Sequence, residues 1–249
     1  MKIFLLGGSR GLGKQILLQL LRNNYEVNCL VRNPNKLKIN HKNLNLYKGD
    51  STEIEDLRLA IKNSDYIINS LNVMRRNIIP WSSLSNSKTT ISDSIKNIIE
   101  LTEQKKIKHL VSVSAWGAGD SIKEIPMWFK YLIKFSNIKY PYKDHDRQEE
   151  IIKNSNLNWT IIRPAALINF FDHPVKESFS NKHKVNLIIS RKSLSKYIVN
   201  ILGNKDYFNK IPFSVNLFIS SVATETSPLA IHLNNSPFEV KAILCCHGL

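Results

Sequence analysis

The stretch KIFLLGGSRGLGKQILLQLL, residues 2–21, decides the fold. A first strand is predicted near 2–6, apolar from Ile3 on and stopped at once by glycine. Beyond the glycines, Leu12, Ile16, Leu17, Leu20 and Leu21 recur at the spacing of one helix face. The chain therefore passes from strand to helix through a turn that holds Gly7, Gly8, Gly11 and Gly13. Glycine permits the tight turn and lets backbone N–H groups come close to an anion. The helix start adds unpaired N–H groups and the positive end of its dipole. Strand, glycine turn and helix in that order are what a pyrophosphate-binding βα unit requires.

The same rhythm continues outward. Apolar runs predict strands near 26–31, 45–48, 65–70, 108–114 and 158–163, with helices near 11–23, 53–62, 87–104 and 143–155. A short strand near 186–190 and a helix near 193–202 follow. Parallel strands need crossovers that helices supply, so the pattern predicts an α/β, doubly wound Rossmann fold with a mostly parallel sheet. One domain is expected over 1–211. From 212 to 249 the Lys- and Asn-dense texture changes, and that C-terminal tail has no structural reading. Residues 115–142 break the rhythm with IPMWFKYLIKF, a candidate amphipathic helix that either walls a site or plugs the sheet edge.

Composition narrows the function classes. The formal charge is +15, but the lysines are dispersed among Asn and Ile and no nucleic-acid motif accompanies them, so nucleic acid is not expected as a partner. Cys29, Cys245 and Cys246 cannot build a disulfide framework, which points to a reducing, cytoplasmic setting. The N-terminal apolar run is too short to cross a bilayer, and no membrane partner is expected. Metal ligands are not expected. The molecule is read as a monomer or homodimer with a small-molecule substrate.

The glycine turn makes Gly7, Ser9, Arg10, Gly11, Leu12 and Gly13 candidates for cofactor contact. In NAD-preferring sites an acid at the end of the second strand bonds the ribose 2′-hydroxyl. Here EVNCLV ends in Arg32, and Arg10 lies in the turn itself. Two guanidiniums suit a 2′-phosphate by charge and forked hydrogen bonds, so NADP(H) is expected, with NAD(H) as the alternative. Asp50, after the third strand, could accept from the adenine amino group or could cap the helix beginning near Ile54.

Several segments together resemble the atypical short-chain dehydrogenase/reductase group, in particular its NAD(P)H-binding, NmrA-like and biliverdin-reductase-B-like flavin reductase members. They are GGSRGLG, LVRNPNKL, LYKGDSTEIEDL, DYIINSL, LVSVSAWGAGDS, KDHDRQEEII, NWTIIRPAAL and ISRKSLSKYIVNIL. The resemblance implies a phosphate loop at Gly7, Gly11 and Gly13, a 2′-phosphate contact at Arg32 and an adenine contact at Asp50. It also implies that Ser70 and Leu71 run beneath the nicotinamide-side ribose and that Pro164, Ala165 and Ala166 meet the carboxamide end.

The tyrosine-dependent relatives use Tyr-x-x-x-Lys, in which lysine lowers the tyrosine pKa for proton exchange with a carbonyl. No tyrosine of this chain has lysine four residues on. Ser114 matches the serine of that set, and the usual lysine position falls on His145, where the biliverdin-reductase-B-like proteins also have histidine. Ser114 and His145 are the candidate catalytic residues. Asp144 and Asp146 would favour a charged imidazole if they face it. Tyr140 or Tyr142 with Lys143 could stand in for the missing pair, and Met127, Trp128, Phe129 and Tyr131 could wall a pocket. The expected activity is NADPH-dependent hydride transfer to a flavin, quinone or similar planar acceptor. The alternative is a non-catalytic NADP(H)-binding sensor or assembly factor.

Overall fold

The computed structural model describes residues 1–103, 105–170, 175–178 and 188–216. Its six-stranded parallel sheet is built from β1 (Lys2–Leu6), β2 (Glu26–Val31), β3 (Leu44–Lys48), β4 (Tyr66–Asn69), β5 (His109–Val113) and β6 (Trp159–Ile162). They lie in the order β3-β2-β1-β4-β5-β6. The chain reverses direction across the sheet on either side of β1, and that switch point is where open α/β sheets bind ligands.

β1 is central and buried on both faces, so its sequence is a continuous apolar run rather than an alternation. Ile3 and Leu5 point to one layer, with Ile16, Leu17 and Leu20 of α1 (Gly11–Arg22) and Leu194 and Ile198 of α6 (Arg191–Ile201). Phe4 and Leu6 point to the other layer. There they meet Leu57 and Ala60 of α2 (Ile54–Ala60), Ile95 and Ile98 of α3 (Thr90–Thr102) and Ile152 of α5 (Lys139–Lys153).

Two helix starts differ from expectation for local reasons. α3 begins at Thr90 rather than near 87, because Ser87 Oγ accepts from Thr89 N–H at 3.2 Å and ties that stretch into a turn. α5 begins at Lys139 rather than near 143, with Pro141 inside its first turn, where no N–H is needed.

The interruption at 115–142 contains α4 (Met127–Phe135). Phe129 and Ile133 face inward onto a small separate core with Trp116, Ile125 and Tyr142, whereas Met127, Trp128, Tyr131 and Phe135 are exposed. Beyond the main sheet, β7 (Ala166–Ile168) pairs in parallel with β9 (Ile188–Ser190), and β8 (Val175–Ser178) pairs antiparallel with β10 (Phe213–Asn216). β10 carries the described chain past residue 211. The rest of the tail expectation, 217–249 with Cys245 and Cys246, lies outside the described residues.

Candidate functional site

The carboxyl ends of the central strands open onto a cavity of about 350 Å3. Gly7, Ser9, Arg10, Gly11, Leu12 and Gly13 border it between β1 and α1. The strand order then sends Arg32 and Asp50 to one side of that loop. Ser70, Leu71, Ser114, His145, Pro164 and Ala165 go to the other. Of the expected cofactor contacts and of Ser114 and His145, Ala166 is the exception: it is buried in β7, and its neighbours Ala165 and Leu167 border the cavity instead.

The glycine turn is shaped by close backbone approach. Gly7 has φ +79°, where a side chain is strained, and a Cβ there would lie 2.6 Å from the Ser70 carbonyl oxygen. A Cβ at Gly13 would be driven into the Gly7 carbonyl and would sit 2.5 Å from Ser70 Oγ. Ser70 in turn donates to Leu6 O at 3.1 Å, so the end of β4 clamps the loop. These contacts fix the shape of the loop at the mouth of the cavity.

On the Arg32 side the charge is uncompensated. Neither Arg10 nor Arg32 pairs with a carboxylate among the described residues, and Arg32 Nη2 contacts only Met74 Sδ, at 3.1 Å. Burial, and then the charge of Arg32, holds the Arg10 guanidinium below its ordinary pKa. Two like charges brought this close favour an anion between them. Asp50 Oδ1 accepts from Thr52 N–H (3.0 Å) and Thr52 Oγ1 (2.9 Å). The N-cap of α2 is Glu53, so Asp50 does not cap that helix.

On the other side the polar groups are tightly engaged. Ser114 Oγ donates to Glu149 Oε1 at 2.7 Å. Arg163 holds the same carboxylate in a fork, Nε to Oε1 at 2.9 Å and Nη2 to Oε2 at 2.5 Å. Burial raises the Glu149 pKa, but the Arg163 bonds and charge outweigh it, and the carboxyl sits below its ordinary value. The Ser114 hydroxyl thus turns lone pairs, not its proton, toward the cavity.

His145 is 2% exposed, and its Nδ1 lies 2.6 Å from Gln148 Nε2. Burial lowers its pKa to about 4, against the opposing charge of Glu149. Asp144 and Asp146 do not face the ring, so the condition under which they would favour its charged form is not met. Asp144 accepts from Ile91 N–H (2.8 Å) and Ser92 Oγ (2.5 Å) at the start of α3, and Asp146 accepts from Gly119 N–H (2.6 Å).

Tyr140 and Tyr142 do not border the cavity. Tyr142 is buried and donates to Trp116 O at 3.1 Å, which ends its candidacy as a substitute acid. Met127, Trp128, Phe129 and Tyr131 do not wall the cavity either. Residues that sequence reasoning missed are Asn72, Leu167 and Arg191 on the cavity wall, and Asn69, Gln148 and Glu149 behind it. Gln148 and Glu149 stand in the quoted segment KDHDRQEEII, one helical turn after His145, and that spacing was the available signal.

A family model described as NAD(P)H-binding matches residues 7–205. The chain belongs to this NAD(P)H-binding family. No curated protein matches the sequence. The fold of this family member is similar to several solved structures. One is the oxidoreductase ylbE from Lactococcus lactis, at 18% identity and TM-score 0.69 over 87% of this chain and 91% of that one. Another is ChuY, an anaerobilin reductase from Escherichia coli O157:H7, at 14% identity and TM-score 0.69 over 88% and 98%. A third is a wide-type short-chain dehydrogenase/reductase from Veillonella parvula in complex with NADP, at 17% identity and TM-score 0.68 over 87% and 95%. Among the described residues, no helix is long and apolar enough to cross a membrane, and no His, Cys, Asp and Glu cluster could hold a metal ion.

Proposed function

We propose that this NAD(P)H-binding protein is an NADPH-dependent reductase that delivers hydride to a flavin, quinone or similar planar acceptor. The observation that carries the cofactor choice is the pair Arg10 and Arg32, unpaired at the cavity rim where an NAD-preferring site would have an acid. The glycine loop at the start of α1 borders the cavity and would hold the pyrophosphate on its backbone N–H groups, in a shape that leaves no room for a Cβ at Gly7 or Gly13. When bound, reduced nicotinamide supplies a hydride, and the acceptor takes up that hydride and a proton. The chain's own part is to orient the two reactants and exclude water, with Ser114 offering lone pairs and His145 a ring nitrogen at the cavity wall. The NADP-bound neighbour from Veillonella parvula and the reductase ChuY support this reading by similarity of fold.

A second reading, a dinucleotide sensor without turnover, draws on one observation: neither Ser114, whose proton goes to Glu149, nor the buried neutral His145 is poised as an acid at pH 7. NADPH oxidation by the purified chain against FMN, FAD and quinones, with NADPH and NADH titrated in parallel, separates them. Turnover with NADPH preferred supports the reductase. Tight NADPH binding without turnover supports the sensor, and absence of binding overturns both.

A further inference from the structure

Behind the cavity wall runs a chain of amides whose direction is fixed at both ends. Leu71 N–H can only donate, and it donates to Asn69 Oδ1 at 3.1 Å. Asn69 Nδ2 is therefore the donor end of that amide, and it reaches Gln148 Oε1 and Ser112 Oγ, each at 3.1 Å. Ser112 passes its own proton to Gln148 Oε1 at 3.0 Å. At the other end, the Val113 carbonyl can only accept, and it accepts from Gln148 Nε2 at 3.1 Å. Both ends agree that the Gln148 NH2 faces His145. Its second N–H meets Nδ1 at 2.6 Å, so Nδ1 must accept, and a neutral ring must carry its proton on Nε2. Nε2 has no hydrogen-bond partner among the described residues, is not sealed from solvent, and belongs to a ring that borders the cavity.

We propose that Asn69 and Gln148 are positioning residues that hold His145 as the neutral Nε2–H tautomer, making it a fixed hydrogen-bond donor to an uncharged oxygen or nitrogen of the bound ligand. This rests on the cavity being the dinucleotide and acceptor site. The charged groups around the ring agree with it. Glu149, from the same helix, is neutralised by Arg163 of the β6 end. Asp144 and Asp146 are turned to backbone N–H groups, and α6 contributes a cation, Arg191, to the same cavity. Protonating Nδ1 would set N–H against N–H at Gln148. Burial likewise keeps the ring neutral, its pKa lowered to about 4.

The test is the tautomer itself. The full chain is labelled with [15N]histidine, the His145 signals are identified by their loss in His145→Asn, and long-range 1H–15N correlations are recorded from pH 7 to pH 5. The expected spectrum has Nε2 protonated and Nδ1 bare throughout. Gln148→Glu replaces the donor with an acceptor of the same shape, so it should draw a proton to Nδ1 and lower the NADPH oxidation rate at least about tenfold. A wild-type ring protonated at Nδ1 at pH 7, or a tautomer unchanged in folded Gln148→Glu, overturns the proposal. If Gln148→Glu does not fold, the wild-type spectrum decides alone. A wild type that never turns over would defeat the reductase reading and leave this one standing, because the spectrum needs no substrate.

Discussion

Arg32 stands at the cavity where NAD-preferring sites have a carboxylate, and on the proposed function this one side chain would separate the two cofactors. A charge-assisted hydrogen bond contributes about 1.5–3 kcal/mol, and about 1.4 kcal/mol is tenfold in affinity. Arg32→Ala should therefore raise the NADPH dissociation constant about ten- to hundredfold while NADH changes by less than about threefold. Parallel nucleotide-fluorescence titrations check this, and equal losses for both nucleotides would remove the 2′-phosphate assignment. Gly13→Ala acts by geometry instead. Its Cβ meets backbone at Gly7 and the Ser70 hydroxyl, so the loop must shift, which would distort the proposed pyrophosphate site. Loss of NADPH binding is expected, with stability lowered by about 1–3 kcal/mol, read by titration and thermal melting. The place of both residues on the cavity was legible in the sequence, because a glycine turn and a strand-ending arginine are positioned by the local chain. Gln148 was not, since its partner Asn69 is 79 positions away and nothing local in either residue announces the pairing.

At the scale of elements, β1, β2, β4, β5 and β6 were legible for the reason that they are largely buried, whereas β3, at the sheet edge, is only partly so. Parallel strands covered on both faces read as apolar runs. β7, β8 and β10 are three or four residues each and pair outside the main sheet, so no periodicity marks them. Helix α5 carries most of what the sequence hid. It puts His145 and Gln148 against the cavity wall, and its next residue, Glu149, locks to Arg163 at the end of β6. Both members of that pair are 1% exposed. Removing one partner of a buried pair costs about 3–5 kcal/mol, because the other charge is stranded. Asp120, also 2.6 Å from Arg163 Nη2, is 76% exposed and can take over only part of the role. Glu149→Ala should therefore lose about 3 kcal/mol in urea denaturation, and a loss below about 1 kcal/mol would mean that Asp120 suffices.

At the scale of the whole molecule, two histidines buried among the described residues are expected to govern acid stability, one at the sheet and one at the site. His109 in β5 accepts at Nδ1 from Gly203 N–H at 3.1 Å and meets Thr160 Oγ1 with Nε2 at 2.8 Å. Thr160 Oγ1 passes its own proton to Tyr207 O at 2.5 Å, so His109 Nε2 is the donor. Like His145, it can gain a proton only by setting N–H against N–H. Burial lowers both from 6.5 to about 4. A group whose folded pKa lies below its unfolded value stabilises the fold above the unfolded pKa and loses that stabilisation as pH falls toward the folded one. Between pH 6.5 and about 4 the unfolded chain binds a proton at each site that the native chain refuses. At about 1.4 kcal/mol per pH unit for each ring, these two histidines should lower stability by several kcal/mol across this window. Urea denaturation at pH 7, 6, 5 and 4 measures the slope, and His109→Gln, which cannot titrate, should reduce it by about half between pH 6 and 5. An unchanged slope in that variant would assign the acid sensitivity to other groups.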